Sequence, residues 1–241
     1  MIVKPTQTGW QFIRQQAHGL LAMQLALHWK PEKRPVRWAE TLVALSEHED
    51  GQNGWEGRNH LSETGAPIGF SEVGYSVDQV KNMIRIGLEK SRWNALMLSM
   101  HTTFLYEEKR GEDPALDEFL DQQKANQANW RKQYKATVAE TRYAYEFLQW
   151  CDALSLVLCR DLLQIEERRL EISKGPDGTP YYIFQRKDST VGIDPWPFES
   201  DQFDVHIETF QLNQLAFEDD NELYNALNNE AINELKWAIK R

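Results

Sequence analysis

Apolar positions recur at helical spacing through the first two thirds of the chain. Leu20, Leu21, Leu25 and Trp29 fall on adjacent rows of a helix expected from Gln16 to Trp29, and Trp38, Leu42 and Leu45 form the stripe of a second that runs into His48 and stops near Gly51. Lys30 to Pro35 separates the two, and a short strand over Trp10 to Ile13 precedes them after a turn at Thr8-Gly9. Two further helices are predicted over Val77 to Arg92 and Asn94 to Glu107. Asp113-Pro114 then supplies an N-cap acid followed by Pro at the first helical position. From there helix is expected to continue, with a break near Asn126 to Asn129, as far as Arg169.

The pattern changes at Gly175. Lys174-Gly175-Pro176-Asp177-Gly178 is a turn cluster, and Thr179 to Arg186, Val191 to Ile193 and Phe203 to Leu212 carry the β-branched and aromatic content of short strands. A small antiparallel sheet follows from that pattern. Leu223, Leu227, Ile232, Leu235 and Ile239 predict a closing helix over Asn221 to Lys240. The expected architecture is mainly α: a helical domain over residues 1–170, and a strand-rich segment plus closing helix over 175–241, packed as one unit with it. The stretch from Gly51 to Tyr75 holds six glycines with turn signals at Asn53-Gly54 and Gly65-Ala66-Pro67. A connection of that length in a compact domain is usually functional or mobile.

Several polar residues interrupt the apolar faces. His18 is followed by Leu21, Ala22 and Leu25, and His101 is flanked by Met97, Leu98, Phe104 and Leu105. Asp152 sits inside Phe147-Leu148-Gln149-Trp150-Cys151-Asp152-Ala153-Leu154-Ser155-Leu156, with Leu148 and Leu156 one turn away on either side. A core-facing carboxylate must be protonated, paired with a cation such as Arg85, Arg92 or Arg142, hydrogen-bonded, or bound to a metal, since burial without a partner costs several kcal/mol. His48-Glu49-Asp50 places an imidazole and two carboxylates side by side. Each residue alone fits a hydrogen-bonded core role; together they suggest a cluster assembled from distant helices.

Composition narrows the function classes. The 241 residues carry 27 basic and 37 acidic side chains, for a net charge of −10, and 41% are hydrophobic. A globular chain of that charge lacks the basic stripe of a nucleic-acid binder. No apolar run is long enough for a membrane span, and the amino-terminal Met1-Ile2-Val3-Lys4-Pro5 lacks the apolar core of a signal peptide, so a cytoplasmic location is expected. Cys151 and Cys159 lie roughly 12 Å apart along one helix, too far for a disulfide, and read as free core thiols.

Imidazole nitrogens combined with carboxylate oxygens suit Mn, Fe, Ni or Zn, and a site with an open position can lower the pKa of a water toward roughly 7. His18, His48, Glu49 and Asp152 are the candidate ligands, with His101 and Asp50 as candidate catalytic groups. Trp55, in the glycine-rich stretch, could wall a pocket or stack on a substrate ring. Lys81, Arg85 and Arg92 could neutralise phosphate, Arg85 being the candidate substrate contact. His28 beside Trp29 reads as a helix-end residue, and His60 and His206 as a loop and a strand residue without a catalytic part.

The order His18, then His48 with Glu49 or Asp50, then His101, then Asp152 on successive helices resembles the HD superfamily of metal-dependent phosphohydrolases. Its steps of 30 residues from His18 to His48 and 104 from His48 to Asp152 are compatible with that family. That resemblance implies a helical HD-like domain and metal-dependent hydrolysis of a small phosphoester. A longer resemblance is to the bacterial family called domain of unknown function 3891. It is carried by Gln15-Gln16-Ala17-His18, Leu25-Ala26-Leu27-His28-Trp29, Ala44-Leu45-Ser46-Glu47-His48, Asn53-Gly54-Trp55, Leu98-Ser99-Met100-His101-Thr102-Thr103-Phe104-Leu105-Tyr106, Leu148-Gln149-Trp150-Cys151-Asp152-Ala153-Leu154-Ser155-Leu156 and Asp194-Pro195-Trp196-Pro197-Phe198.

The second resemblance implies recurring motifs at the polar cluster and no particular activity. Against its His-Asp-Asn-Gly-Trp, this chain runs about three residues longer from His48 to Trp55, so either Glu49 or Asp50 can stand for the dyad carboxylate. Against its Asp-His-Ala, this chain has Ala17-His18-Gly19, without a carboxylate that could orient the imidazole. Two functions remain open: a metal-dependent hydrolase with a small-molecule substrate, and a non-catalytic binding or structural protein with a buried His/Asp hydrogen-bond network.

Overall fold

The computed structural model describes residues 1–51, 55, 60–74 and 76–241. The Asn53-Gly54 turn signal lies outside the described residues. Seven helices appear among those residues: α1 (Gln15–Leu27), α2 (Trp38–Ser46), α3 (Val77–Lys90), α4 (Arg92–Tyr106), α5 (Pro114–Tyr134), α6 (Val138–Cys159) and α7 (Asp220–Asn229). The strands are β1 (Ile2–Pro5), β2 (Trp10–Ile13), β3 (Leu170–Lys174), β4 (Pro180–Gln185), β5 (Val191–Asp194), β6 (Gln202–Leu212) and β7 (Asn233–Lys240).

All seven join one sheet in the order β1-β2-β6-β7-β5-β4-β3. Every neighbouring pair is antiparallel except β5 with β7, which meet in parallel at Val191 and Ile239. The fold is therefore mixed α and β, which corrects the expectation of a mainly α, HD-like helical domain with a small antiparallel segment. The amino-terminal hairpin β1-β2 docks on the far end of the eleven-residue β6, so the sheet draws on both ends of the chain.

Three boundaries also differ from the periodicity. The expected closing helix over Asn221 to Lys240 ends at Asn229, and Asn233–Lys240 is strand β7. Leu235, Trp237 and Ile239 alternate along it while Lys236 and Lys240 are exposed, a period of two that residue spacing alone disguises as helical. The helix break falls at Lys135 to Thr137 rather than Asn126 to Asn129. Lys135 caps α5 in the left-handed conformation, and Thr137 and Glu140 form a reciprocal capping box that starts α6. Helix α6 ends at Cys159, and β3 begins at Leu170, where helix was expected to Arg169.

One hydrophobic cluster runs from Ile2 and Ile13 through α1, α2, α4 and α6 to Ile183, Val205 and Ile239 in the sheet. At its centre Trp29 packs edge-on against Phe147 and Trp150, ring centroids 5.1 and 5.0 Å away, and Trp150 reaches Tyr181 of β4 at 5.1 Å. The Gln24 side chain fastens α1 to β6 through both polar groups, donating to the His206 carbonyl and accepting from the His206 N–H. None of the helices among the described residues is long and apolar enough to cross a membrane.

Candidate metal centre

Four segments bring polar side chains to one point: α1 contributes His18, the turn after α2 His48 and Glu49, α4 His101, and α6 Asp152. Gly19 permits the first approach. A Cβ at that position would lie 2.5 Å from the Ser46 carbonyl oxygen, so only a residue without a side chain lets α1 rest on the end of α2 beside His48. Gly51 does the same on the other side of the dyad: its ideal Cβ would fall 2.4 Å from Met83 Cβ on α3.

The geometry is a near-equilateral triangle. His18 Nε2 and His48 Nε2 are 3.0 Å apart, and Asp152 Oδ1 is 3.2 Å from each. His18 and His48 are fully buried, and the Asp152 side chain keeps a small exposed edge. Glu49 Oε1 lies 3.9 Å from His18 Nε2, while its Oε2 accepts from Gln15 Nε2 at 3.1 Å. His101 faces His48 edge-on with ring centroids 5.1 Å apart. One ligand atom each of His18, His48 and Glu49 lie mutually within 4.8 Å, as do those of His48, His101 and Asp152.

The Nδ1–H of His48 donates to the Leu45 carbonyl at 2.6 Å, which leaves Nε2 as the nitrogen facing the cluster. Without a metal, burial disfavours charge on His48, but the Asp152 charge and hydrogen bond, Glu49 and the Leu45 carbonyl outweigh it and raise its pKa to about 9. Burial likewise opposes ionisation of Asp152, and the two histidines hold its pKa well below the usual range. His101 is driven the other way: burial and the neighbouring His48 and His18, against Asp152, lower it to about 4. It is neutral at pH 7.

Asp152 pairs with the two histidines, and among the described residues no arginine takes that place. Of the two carboxylates that follow His48, Glu49 is the one that reaches the cluster, its Oε1 3.9 Å from His18 Nε2; Asp50 is largely exposed, and partial desolvation of its carboxyl together with the nearby Glu47 charge raises its pKa. Arg85 lies exposed on α3, paired with Glu89 and Asn82, and Lys81 and Arg92 are exposed as well. Trp55 lies elsewhere, its ring 4.1 Å from His60 and 5.2 Å from Tyr224, beside a cavity of about 940 Å³ lined by Glu218, Asp219 and Asp220. That cavity is larger than the one at the histidines, but neither potential ligand group among the described residues belongs to it. His28 stacks on Phe203 with centroids 3.7 Å apart, and burial lowers its pKa against the pull of Glu199.

His48, Glu49, His101 and Asp152 line a cleft of about 290 Å³, together with Gln15, Thr102 and Lys109. None of these last three stood out in the sequence as a site residue. Gln15 had a signal, standing three residues before His18 and therefore on the same helix face. Lys109, just past α4, had none.

No curated protein and no solved structure matches the chain. A family model described as protein of unknown function DUF3891 matches residues 1–214, and the chain belongs to that family.

Proposed function

We propose that this protein is a divalent-metal-dependent hydrolase acting on a small phosphoester. The observation that carries the reading is the triangle of His18 Nε2, His48 Nε2 and Asp152 Oδ1, with edges of 3.0 and 3.2 Å. Ligands about 2.1 Å from an ion and at right angles to one another lie about 3.0 Å apart, so this spacing fits one face of a coordination octahedron. Two imidazoles and a carboxylate suit Mn, Fe, Ni or Zn better than a cation that prefers oxygen alone. A divalent ion held there would polarise the phosphoryl group and acidify a water.

The chain's own groups have separable parts in this reading. Leu45 fixes the His48 tautomer, and Gln15 holds one oxygen of Glu49 so that the other stays turned toward His18. Glu49 takes the water's proton, being a carboxylate at the edge of the cluster with a partly exposed side chain. His101, neutral at pH 7, serves as a further ligand or hydrogen-bond donor. In the overall reaction a water oxygen bonds to phosphorus, the ester P–O bond breaks, and a proton leaves with the alcohol.

Metal analysis of purified protein, made with each of Mn, Fe, Ni and Zn supplied in turn, tests the reading together with a screen of small phosphomonoesters. At least one equivalent of metal and metal-dependent phosphate release are expected. Protein that stays metal-free after every supplementation would leave the buried hydrogen-bond network as the role of the cluster.

A further inference from the structure

Gln15, at the wall of the cleft, carries a hydrogen-bonding atom that the metal centre does not use. Its Nε2 donates to Glu49 Oε2 at 3.1 Å, and since a carboxylate offers only acceptors, the amide nitrogen must face Glu49 and the oxygen is the atom left over. That oxygen, Oε1, is buried and has no hydrogen-bond partner among the described residues. Thr102 Oγ1 is in the same state, and both residues line the cleft and are at least nine-tenths buried. His101 Nδ1 is a third such atom, on an imidazole to which the metal reading already gives a part. Orphaned polar atoms at such depth are uncommon in native proteins, and around one cavity they point to a ligand that completes them. The rest of the lining is mixed: Ser71, Gln79 and Tyr106 bring hydrogen-bonding groups, and Val80, Met83 and Leu156 bring carbon. At about 290 Å³, the cleft lies at the small end of the range for ligand pockets, roughly 300–1,000 Å³.

The two orphans ask for different partners. Thr102 can donate to a phosphoryl oxygen, but an amide oxygen only accepts, and a phosphate monoester, largely a dianion at neutral pH, has no proton to give it. The donor must come from the alcohol half of the substrate. We infer that the substrate is a phosphate monoester of a compact alcohol bearing a second hydroxyl group, which donates to Gln15 Oε1 while Thr102 donates to the phosphoryl group. This rests on the metal-dependent reading and names its substrate class. A hydroxyl suits the place better than an ammonium group: a charged donor loses far more on leaving water, and the divalent ion beside it would repel it.

The test uses the full chain loaded with Mn²⁺ and non-hydrolysable phosphonates titrated by calorimetry: ω-hydroxyalkyl compounds with two, three and four carbons, each beside the n-alkyl and ω-aminoalkyl compounds with the same number of heavy atoms. At least one hydroxyalkyl compound is expected to bind at least about tenfold more tightly than its alkyl and amino counterparts, since a site built to bond a hydroxyl rejects the analogue that lacks it. Gln15→Met should abolish that preference, with affinity for the alkyl compounds and Mn²⁺ content unchanged. Thr102→Val should weaken every compound by a similar factor and keep the preference. Alkyl compounds that bind as tightly at every length would leave the Gln15 oxygen to a retained water and overturn the inference. So would an amino compound that binds best, or a folded Gln15→Met protein that keeps the hydroxyl preference. In each case Mn²⁺ binding leaves the metal centre intact. A wild-type protein that takes up no Mn²⁺, Fe²⁺, Ni²⁺ or Zn²⁺ overturns both.

Discussion

The backbone carbonyl of Leu45 accepts the Nδ1–H of His48 at 2.6 Å, so the last turn of α2 decides which nitrogen His48 presents to Asp152. In metal-free protein that nitrogen holds a proton up to about pH 9. A metal ion bound as proposed would have to displace it, and metal uptake would then be linked to pH.

Apparent metal affinity should rise about tenfold per pH unit through neutrality and level off near pH 9, with about one proton released per ion from His48. His101, with its pKa near 4, adds no step above pH 6. The stability of metal-free protein runs the opposite way. A folded-state pKa raised from 6.5 to about 9 means that the His48 contribution is complete below 6.5 and fades as pH climbs to 9, by roughly 3 kcal/mol. Asp152, whose pKa is depressed, contributes above its unfolded value near 3.9 and loses that contribution as pH falls through its folded value. Urea melts from pH 6 to 9, with and without metal, check both signs: the metal-free midpoint should fall, and the added stabilisation from metal should grow.

Asp152→Asn keeps the shape of the side chain and removes its charge. Metal affinity is expected to drop by at least about a hundredfold, since the proposed centre would lose a direct ligand, where loss of an outer-shell partner costs roughly 10–100-fold. Metal-free protein should also lose stability, on the order of 3 kcal/mol, because the charge pair with His48 is buried. Wild type should become less stable on chelation and Asp152→Asn should not. Equal melting of both proteins with and without chelator, and no metal in either, would contradict the metal centre.

What the sequence made legible follows from the range of the interactions involved. Asp152 and His18 were recognisable because a polar group on an apolar helix face needs a partner, and here they become partners 3.2 Å apart. The sheet was underread because its order depends on pairing between distant segments, such as Trp10 of β2 with Leu212 of β6, and β5 with β7 in parallel. Strand β7 was misread because Ile232, Leu235 and Ile239 satisfy helical spacing while Leu235, Trp237 and Ile239 satisfy strand spacing, and only docking on β6 decides between them. Lys109 carried no local mark at all.

The break between α5 and α6 did have a local signal, Thr137-Val138-Ala139-Glu140. Thr137 Oγ1 accepts from the Glu140 N–H at 3.1 Å, and Glu140 Oε2 accepts from the Thr137 N–H at 2.7 Å. Thr137→Ala should destabilise the fold by about 1 kcal/mol. Metal affinity should stay at the wild-type value, because this cap lies at the opposite end of α6 from Cys159 and fifteen residues before Asp152. Urea denaturation and a metal titration on the same sample separate the two effects.

Gly19→Ala provides a test in which local propensity and tertiary packing predict opposite signs. Gly19 is buried within α1, and alanine in a helix interior is ordinarily favoured over glycine by about 1 kcal/mol. Here the added Cβ would stand 2.5 Å from the Ser46 carbonyl oxygen and 3.3 Å from that of Leu45, whose carbonyl also holds His48. Backbone atoms at a helix end cannot turn aside as a flexible side chain can, so α1 must shift away from α2. Overpacking of this kind costs typically about 1–3 kcal/mol, enough to cancel the propensity gain and reverse it. The same shift lengthens the 3.0 Å separation of His18 from His48, so metal affinity should fall along with the urea midpoint. A Gly19→Ala protein that is more stable than wild type and binds metal equally well would show that the close approach of α1 to α2 does not set the geometry of the histidine pair.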